Sequence, residues 1–97
     1  MRVRWTPASA DDLQHIGEYL KEHYPAVAQP TVEKLFEAAQ SLTRFPYRGR
    51  TGQLSGTREL VVSPLPYVIV YEVDEATVNI SRVLHGAQDW PGQKQLS

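Results

Sequence analysis

Ninety-seven residues fit one domain, and 41% apolar against 22% charged residues describe a chain that folds rather than stays disordered. Ten Lys and Arg stand against 11 Asp and Glu, a formal charge of −1, so the overall basic excess typical of a nucleic-acid-binding protein is missing. The absence of cysteine excludes disulfides and thiolate metal sites, and His15, His23 and His85 lack zinc-ligand spacing.

No apolar run approaches the roughly 20 residues of a membrane span, and Met1-Arg2-Val3-Arg4 opens no signal sequence, so a cytoplasmic location is expected. Val3 to Trp5 reads as a short opening strand. Thr6-Pro7 then offers a helix cap followed by proline at the first helical position, with Ser9 and Asp12 as an alternative capping pair. Asp11 and Asp12 suit the positive end of the helix dipole. Leu13, Ile16, Leu20 and Tyr24 recur at helical spacing, which predicts a helix over 8–23 ended by Pro25.

A second helix carries Val32, Leu35, Phe36, Ala39 and Leu42 on one face. A start near Gln29 spares it an internal proline at position 30, which would cost about 3 kcal/mol. The stretch 45–56, punctuated by Pro46, Gly49, Gly52 and Gly56, reads as a loop, and Arg44, Arg48 and Arg50 make it the most basic part of the chain. Its arginines suit either phosphate contact or simple solubility. Strands follow at 58–62, 67–73 and 78–85. The expected fold is α+β: an N-terminal strand, a two-helix hairpin and a three-stranded antiparallel meander, all in a single domain over 1–97. The hairpin covers one sheet face and leaves the other available.

Strict alternation places Tyr67, Ile69, Tyr71 and Val73 on one face of the middle strand. In the last strand it sets Val78, Ile80, Arg82 and Leu84 against Asn79, Ser81, Val83 and His85, unless a bulge near Arg82 re-aims Arg82 or His85. His85 suits acid–base catalysis, or a strand-end hydrogen bond. Arg82 suits a phosphate or an acidic partner, or a structural ion pair with Asp89 or Glu59. Arg58 beside Glu59 reads most simply as a solvated pair at a strand edge. Trp90 before Pro91 is either an anchor for a partner or a plug on the end of the sheet. Nothing in the sequence calls for a metal or a cofactor.

The ordered segments 56–62, Pro66-Tyr67-Val68-Ile69-Val70-Tyr71-Glu72-Val73 and Ile80-Ser81-Arg82-Val83-Leu84-His85-Gly86-Ala87-Gln88-Asp89-Trp90 resemble the RelE/ParE superfamily of type II toxin–antitoxin toxins, also known as plasmid stabilisation proteins. So do Trp5-Thr6-Pro7-Ala8, Asp12-Leu13 and Phe45-Pro46-x-x-Gly49-Arg50, and the likeness spans nearly the whole chain.

The resemblance implies a bacterial toxin held inactive by a cognate antitoxin whose C-terminal segment wraps it, with DNA met only through that antitoxin. RelE-like members cut messenger RNA on the ribosome, whereas ParE-like members block DNA gyrase. This chain has Val68 where the nucleases place an arginine after the strand tyrosine, and it lacks their basic, tyrosine-bearing tail. The ParE-like branch, a gyrase inhibitor, is therefore the expectation. Target or antitoxin contacts are expected at Arg58, Tyr67, Arg82, His85, Asp89 and Trp90. The alternatives are a ribosome-dependent endoribonuclease with His85, Arg82 and Arg58 as its catalytic set, and a degenerate toxin that retains only antitoxin binding.

Overall fold

A computed structural model describes residues 1–86. Thr6 caps the first helix: its hydroxyl accepts from the Ser9 N–H at 3.2 Å, and Pro7 takes the first helical position of α1 (Pro7–His23). Tyr24 alone separates α1 from α2 (Pro25–Ser41). The second helix thus begins four residues earlier than expected and keeps Pro30 inside it. Pro30 deprives only the Ala26 carbonyl of its helical donor, and Ala26 is exposed, so water can serve that oxygen. Leu35, Ala39 and Leu42 of α2 are buried, but Phe36 is half-exposed rather than part of the buried stripe.

Five strands make one sheet in the order β1-β5-β4-β3-β2. β1 (Arg2–Trp5) lies parallel to β5 (Thr77–His85), and the remaining pairs are antiparallel, with β4 spanning Tyr67–Asp74 and β3 Arg58–Val61. The meander is therefore the centre of a wider mixed sheet. β2 (Arg50–Thr51) falls in the segment read as loop. Two residues are too few to carry an alternation signal, and side chains reinforce the pairing of β2 with β3. Glu59, 4% exposed, accepts from the Arg50 guanidinium at 3.0 Å and from the Gln53 N–H at 3.1 Å. Arg50, not Arg58, is thus the ion-pair partner of Glu59.

β5 carries a bulge. Tyr67 pairs with His85 and Val70 with Arg82, but Tyr71 pairs with Ile80, so Ser81 is the extra residue. Strict alternation consequently fails beyond Ile80. Val83 joins Ile69, Tyr71, Val78 and Ile80 in the core against the helices. His85, opposite Tyr67, follows Val83 onto that face, while Leu84 pairs with Val68 on the other. The face away from the helices is not simply open, because Glu59, Val70 and Leu84 on it are buried.

β1 ends at Trp5, beside Ile80, and the start of α1 takes over along the β5 edge. The Thr6 N–H and hydroxyl both donate to the Ile80 carbonyl, at 3.2 and 2.7 Å. Nearly two turns on, Asp12 Oδ2 accepts from the Val83 N–H at 2.9 Å and from Arg82 Nε at 2.7 Å, and Oδ1 accepts from the second Arg82 nitrogen at 3.0 Å. Asp12 lies past the first helical turn, where the dipole has faded, so it clamps the helix to the bulged strand rather than capping it.

Tyr71, fully buried, fixes the 45–50 segment. Its hydroxyl donates to the Pro46 carbonyl at 2.8 Å and accepts from the Gly49 N–H at 2.9 Å. A Cβ on Gly49 would come within 2.8 Å of that hydroxyl and of the Glu59 carbonyl, so only glycine fits. Burial pushes the Tyr71 phenol above its usual 10, opposed by the Gly49 hydrogen bond and by Arg58 and Arg48.

Two outcomes are expected from these contacts. Asp12→Ala leaves the Val83 N–H without its acceptor and removes a bidentate partner, costing about 2 kcal/mol in urea unfolding. Arg82→Ala leaves Asp12 bonded to Val83 and costs less; the reverse order would refute the clamp. Tyr71→Phe costs about 1–2 kcal/mol near neutral pH. In the wild type the unfolded chain ionises its tyrosines first, so stability is full below pH 10 and declines as pH climbs from 10 through the higher folded value. That decline is shallower in Tyr71→Phe, as unfolding midpoints across alkaline buffers will reveal.

Candidate functional site

The bulge assembles a cleft at the end of β4 and β5. Because Ser81 is the extra residue, the His85 ring meets Tyr67 edge-on, with centroids 5.6 Å apart and planes at 81°. The Gly86 N–H donates to the Pro66 carbonyl at 2.6 Å and closes the strand end. From the other side α1 supplies His15, Ile16, Tyr19 and Leu20, and the helix junction supplies Tyr24. Together with Pro66 these residues line a cavity of about 520 Å³.

Tyr67 is almost fully buried, and burial raises its phenol above 10, with a smaller contribution from Tyr19. It enters the cleft as a neutral hydroxyl-bearing ring. His15 lies 3.3 Å from Asp11, one turn back along α1, and the rings of Tyr19 and His23 sit 4.3 Å apart. The cleft offers aromatic surface, two imidazoles and phenolic donors. That chemistry suits stacking and hydrogen bonding, and the imidazoles are also capable of proton transfer.

The sequence-predicted residues are not gathered in one place. Tyr67 and His85 meet in the cleft. Arg82 is held bidentate by Asp12 rather than by Glu59, and that hydrogen bond raises its pKa despite the opposing effect of burial. Arg58 lies on β3, over the Tyr47 ring at 5.0 Å, and donates to the Gly49 carbonyl. Its rung, opposite Tyr71, is four residues along β4 from the Tyr67–His85 rung, about 13 Å away. Asp89 and Trp90 lie outside the described residues.

Sequence reasoning passed over His15, Tyr19 and Tyr24 as site residues. Asp11, His15, Tyr19 and His23 recur every fourth position, a polar–aromatic stripe beside the apolar one, and that spacing was the available signal. Among the described residues no cluster of three His, Cys, Asp or Glu could hold a metal ion, and no helix is long and apolar enough to cross a membrane.

Comparison with known proteins agrees with this architecture. The chain is 37% identical over 90 residues to Y4kP of Sinorhizobium fredii, covering 93% of each protein. It is 41% identical over 87 residues to Toxin RelE2 of Caulobacter vibrioides, covering 90% of this chain and 97% of that one. Among solved structures, the chromosomal ParDE toxin–antitoxin system of P. aeruginosa aligns with a TM-score of 0.79 at 24% identity, over 88% of this chain and 95% of that one. The toxin–antitoxin complex RelBE2 of Mycobacterium tuberculosis aligns at 0.58 with 28% identity, over 87% and 95%. The family model described as the ParE toxin of the type II toxin–antitoxin system parDE matches residues 3–90. The chain belongs to that family, a type II toxin within the RelE/ParE superfamily.

Proposed function

We propose that this toxin acts by binding a protein rather than by cutting RNA: a ParE-like inhibitor of DNA gyrase in the bacterial cytoplasm, which blocks replication until a cognate antitoxin neutralises it. The observation that carries this reading is the dispersal of the would-be catalytic set. RNA cleavage requires a proton acceptor and cations converging on one phosphate. Here His85 faces Tyr67, Arg82 is clamped by Asp12, and Arg58 lies about 13 Å along the sheet from the His85 rung. The formal charge of −1 adds no long-range pull toward the ribosome.

One observation favours the nuclease as a second reading. His85 and His15 share a cleft with Tyr67, and the relative at 41% identity bears the name RelE2. Under that reading His85 is the acid–base group, while Arg82 and Arg58 stabilise charge. A degenerate toxin would keep antitoxin binding alone.

The antitoxin has a fitting surface on the helical hairpin. Trp5, Leu13, Gly17, Val32 and Phe36 line an apolar groove of about 390 Å³, and the half-exposed Phe36 ring stacks on Trp5 at 6.0 Å. An amphipathic segment from the antitoxin C-terminus would cover it, since exposed apolar patches of this kind mark partner sites.

Two experiments test the proposal. Purified chain added to gyrase at micromolar concentration is expected to inhibit DNA supercoiling, with inhibition relieved by the product of the adjacent antitoxin gene. Unimpaired supercoiling, together with messenger RNA cuts in translating ribosomes that vanish in His85→Ala, would hand the assignment to the nuclease. Phe36→Ala is expected to weaken antitoxin binding about tenfold in calorimetry; unchanged affinity would move the antitoxin to another surface.

A further inference from the structure

The segment between Glu37 and Glu59 holds Arg44, Arg48, Arg50 and Arg58 and no carboxylate. Among the described residues, Arg50 alone of the four is paired with a carboxylate, that of Glu59. Arg48 donates to the Ser41 hydroxyl at 2.8 Å, and Arg58 contacts the Tyr47 ring and the Gly49 carbonyl. These partners are uncharged. Among the described residues, no carboxylate pairs with Arg44, Arg48 or Arg58.

Beside these cations lies an apolar hollow of about 560 Å³, lined by Ser41, Phe45, Pro46, Tyr47 and Arg48. Phe45 is 61% and Tyr47 64% exposed, the two most exposed large apolar residues among those described. The hollow keeps its shape because Tyr71 holds both its Pro46 and Gly49 flanks from the core. Neither the gyrase reading nor the antitoxin groove makes use of it.

We infer that this patch is a second protein-docking surface, fitted to an acidic segment that inserts a bulky apolar side chain between Phe45 and Tyr47 and sets carboxylates against Arg44, Arg48 and Arg58. Charge complementarity selects an acidic partner: Arg48 lines the apolar hollow, Arg58 sits on its Tyr47 wall and Arg44 adjoins Phe45 in the chain, and none of the three has a carboxylate partner among the described residues. Aromatic and arginine side chains are also the usual anchors of protein interfaces. A polynucleotide fits less well. A nucleic-acid footprint runs over many phosphates, whereas this patch offers three arginines without a carboxylate partner among the described residues, on a chain of net charge −1. Arg58 already occupies one face of Tyr47, which leaves a hollow for a side chain rather than a stacking platform for successive bases.

The test uses the full chain, isotopically labelled for NMR, and three probes. The first is a synthetic peptide with a central leucine–phenylalanine pair flanked by glutamates, the second the same peptide with glutamines, the third a single-stranded oligothymidylate. The glutamate peptide is expected to shift the resonances of residues 44–48 and Arg58, and to weaken as salt rises. Arg44→Gln and Arg48→Gln should each reduce its affinity about threefold, and Phe45→Ala about tenfold. The Arg44 side chain makes no hydrogen bond among the described residues, its N–H alone donating to the Ser41 carbonyl, so its variant isolates charge from stability, and melting curves verify that all three fold. No shift at low millimolar peptide, equal binding of the glutamine peptide, or oligothymidylate as the only probe to move these resonances would each overturn the inference.

Discussion

One extra residue in the last strand governs the functional end of this molecule. Without the bulge at Ser81, Val83 would point away from the helices and His85 would be parted from Tyr67. With it, Val83 completes the core and His85 enters the cleft with His15, Tyr19 and Tyr24. A bulge disrupts the ladder locally, and Asp12 takes up the Val83 N–H while binding Arg82 at the same carboxylate. Asp12, together with Thr6 at the helix start, thus ties α1 to the bulged stretch of the strand.

This arrangement bears on function through what it uses up. In the bidentate pair with Asp12, two of the Arg82 guanidinium nitrogens are already engaged. The Tyr71 hydroxyl performs a similar task on the other side of the molecule. It shapes the arginine-rich segment 44–50 from within the core and holds Phe45 and Tyr47 outward. The toxin thus presents three separate surfaces: the Trp5–Phe36 groove, the Tyr67–His85 cleft and the Phe45–Tyr47 patch.

Much of the fold was legible because local chemistry agreed with the global plan. The Thr6-Pro7 cap, the Leu13–Ile16–Leu20 stripe and the three late strands all stand where their patterns put them. The early start of α2 is hidden in the sequence because an internal proline usually costs a helix dearly, whereas an exposed Ala26 makes it tolerable here. The Arg82 partner was illegible for a different reason. Asp12 is 70 residues away, and only the parallel placement of β1 along β5 brings α1 to that edge. Arg58 and Glu59, adjacent in sequence, diverge because successive strand residues point to opposite faces. The cleft was half legible: Tyr67 and His85 were singled out, while the helical stripe of His15 and Tyr19 went unread.

The register of β4 against β5 is the most direct test, since clamp, core and cleft all follow from it. Nuclear Overhauser contacts across the two strands are predicted to pair Ile69 with Val83 on one side of the bulge and Tyr71 with Ile80 on the other, with ring contacts between Tyr67 and His85. A continuous ladder in which Tyr71 faces Ser81, and no contact between the Tyr67 and His85 rings, would contradict the account.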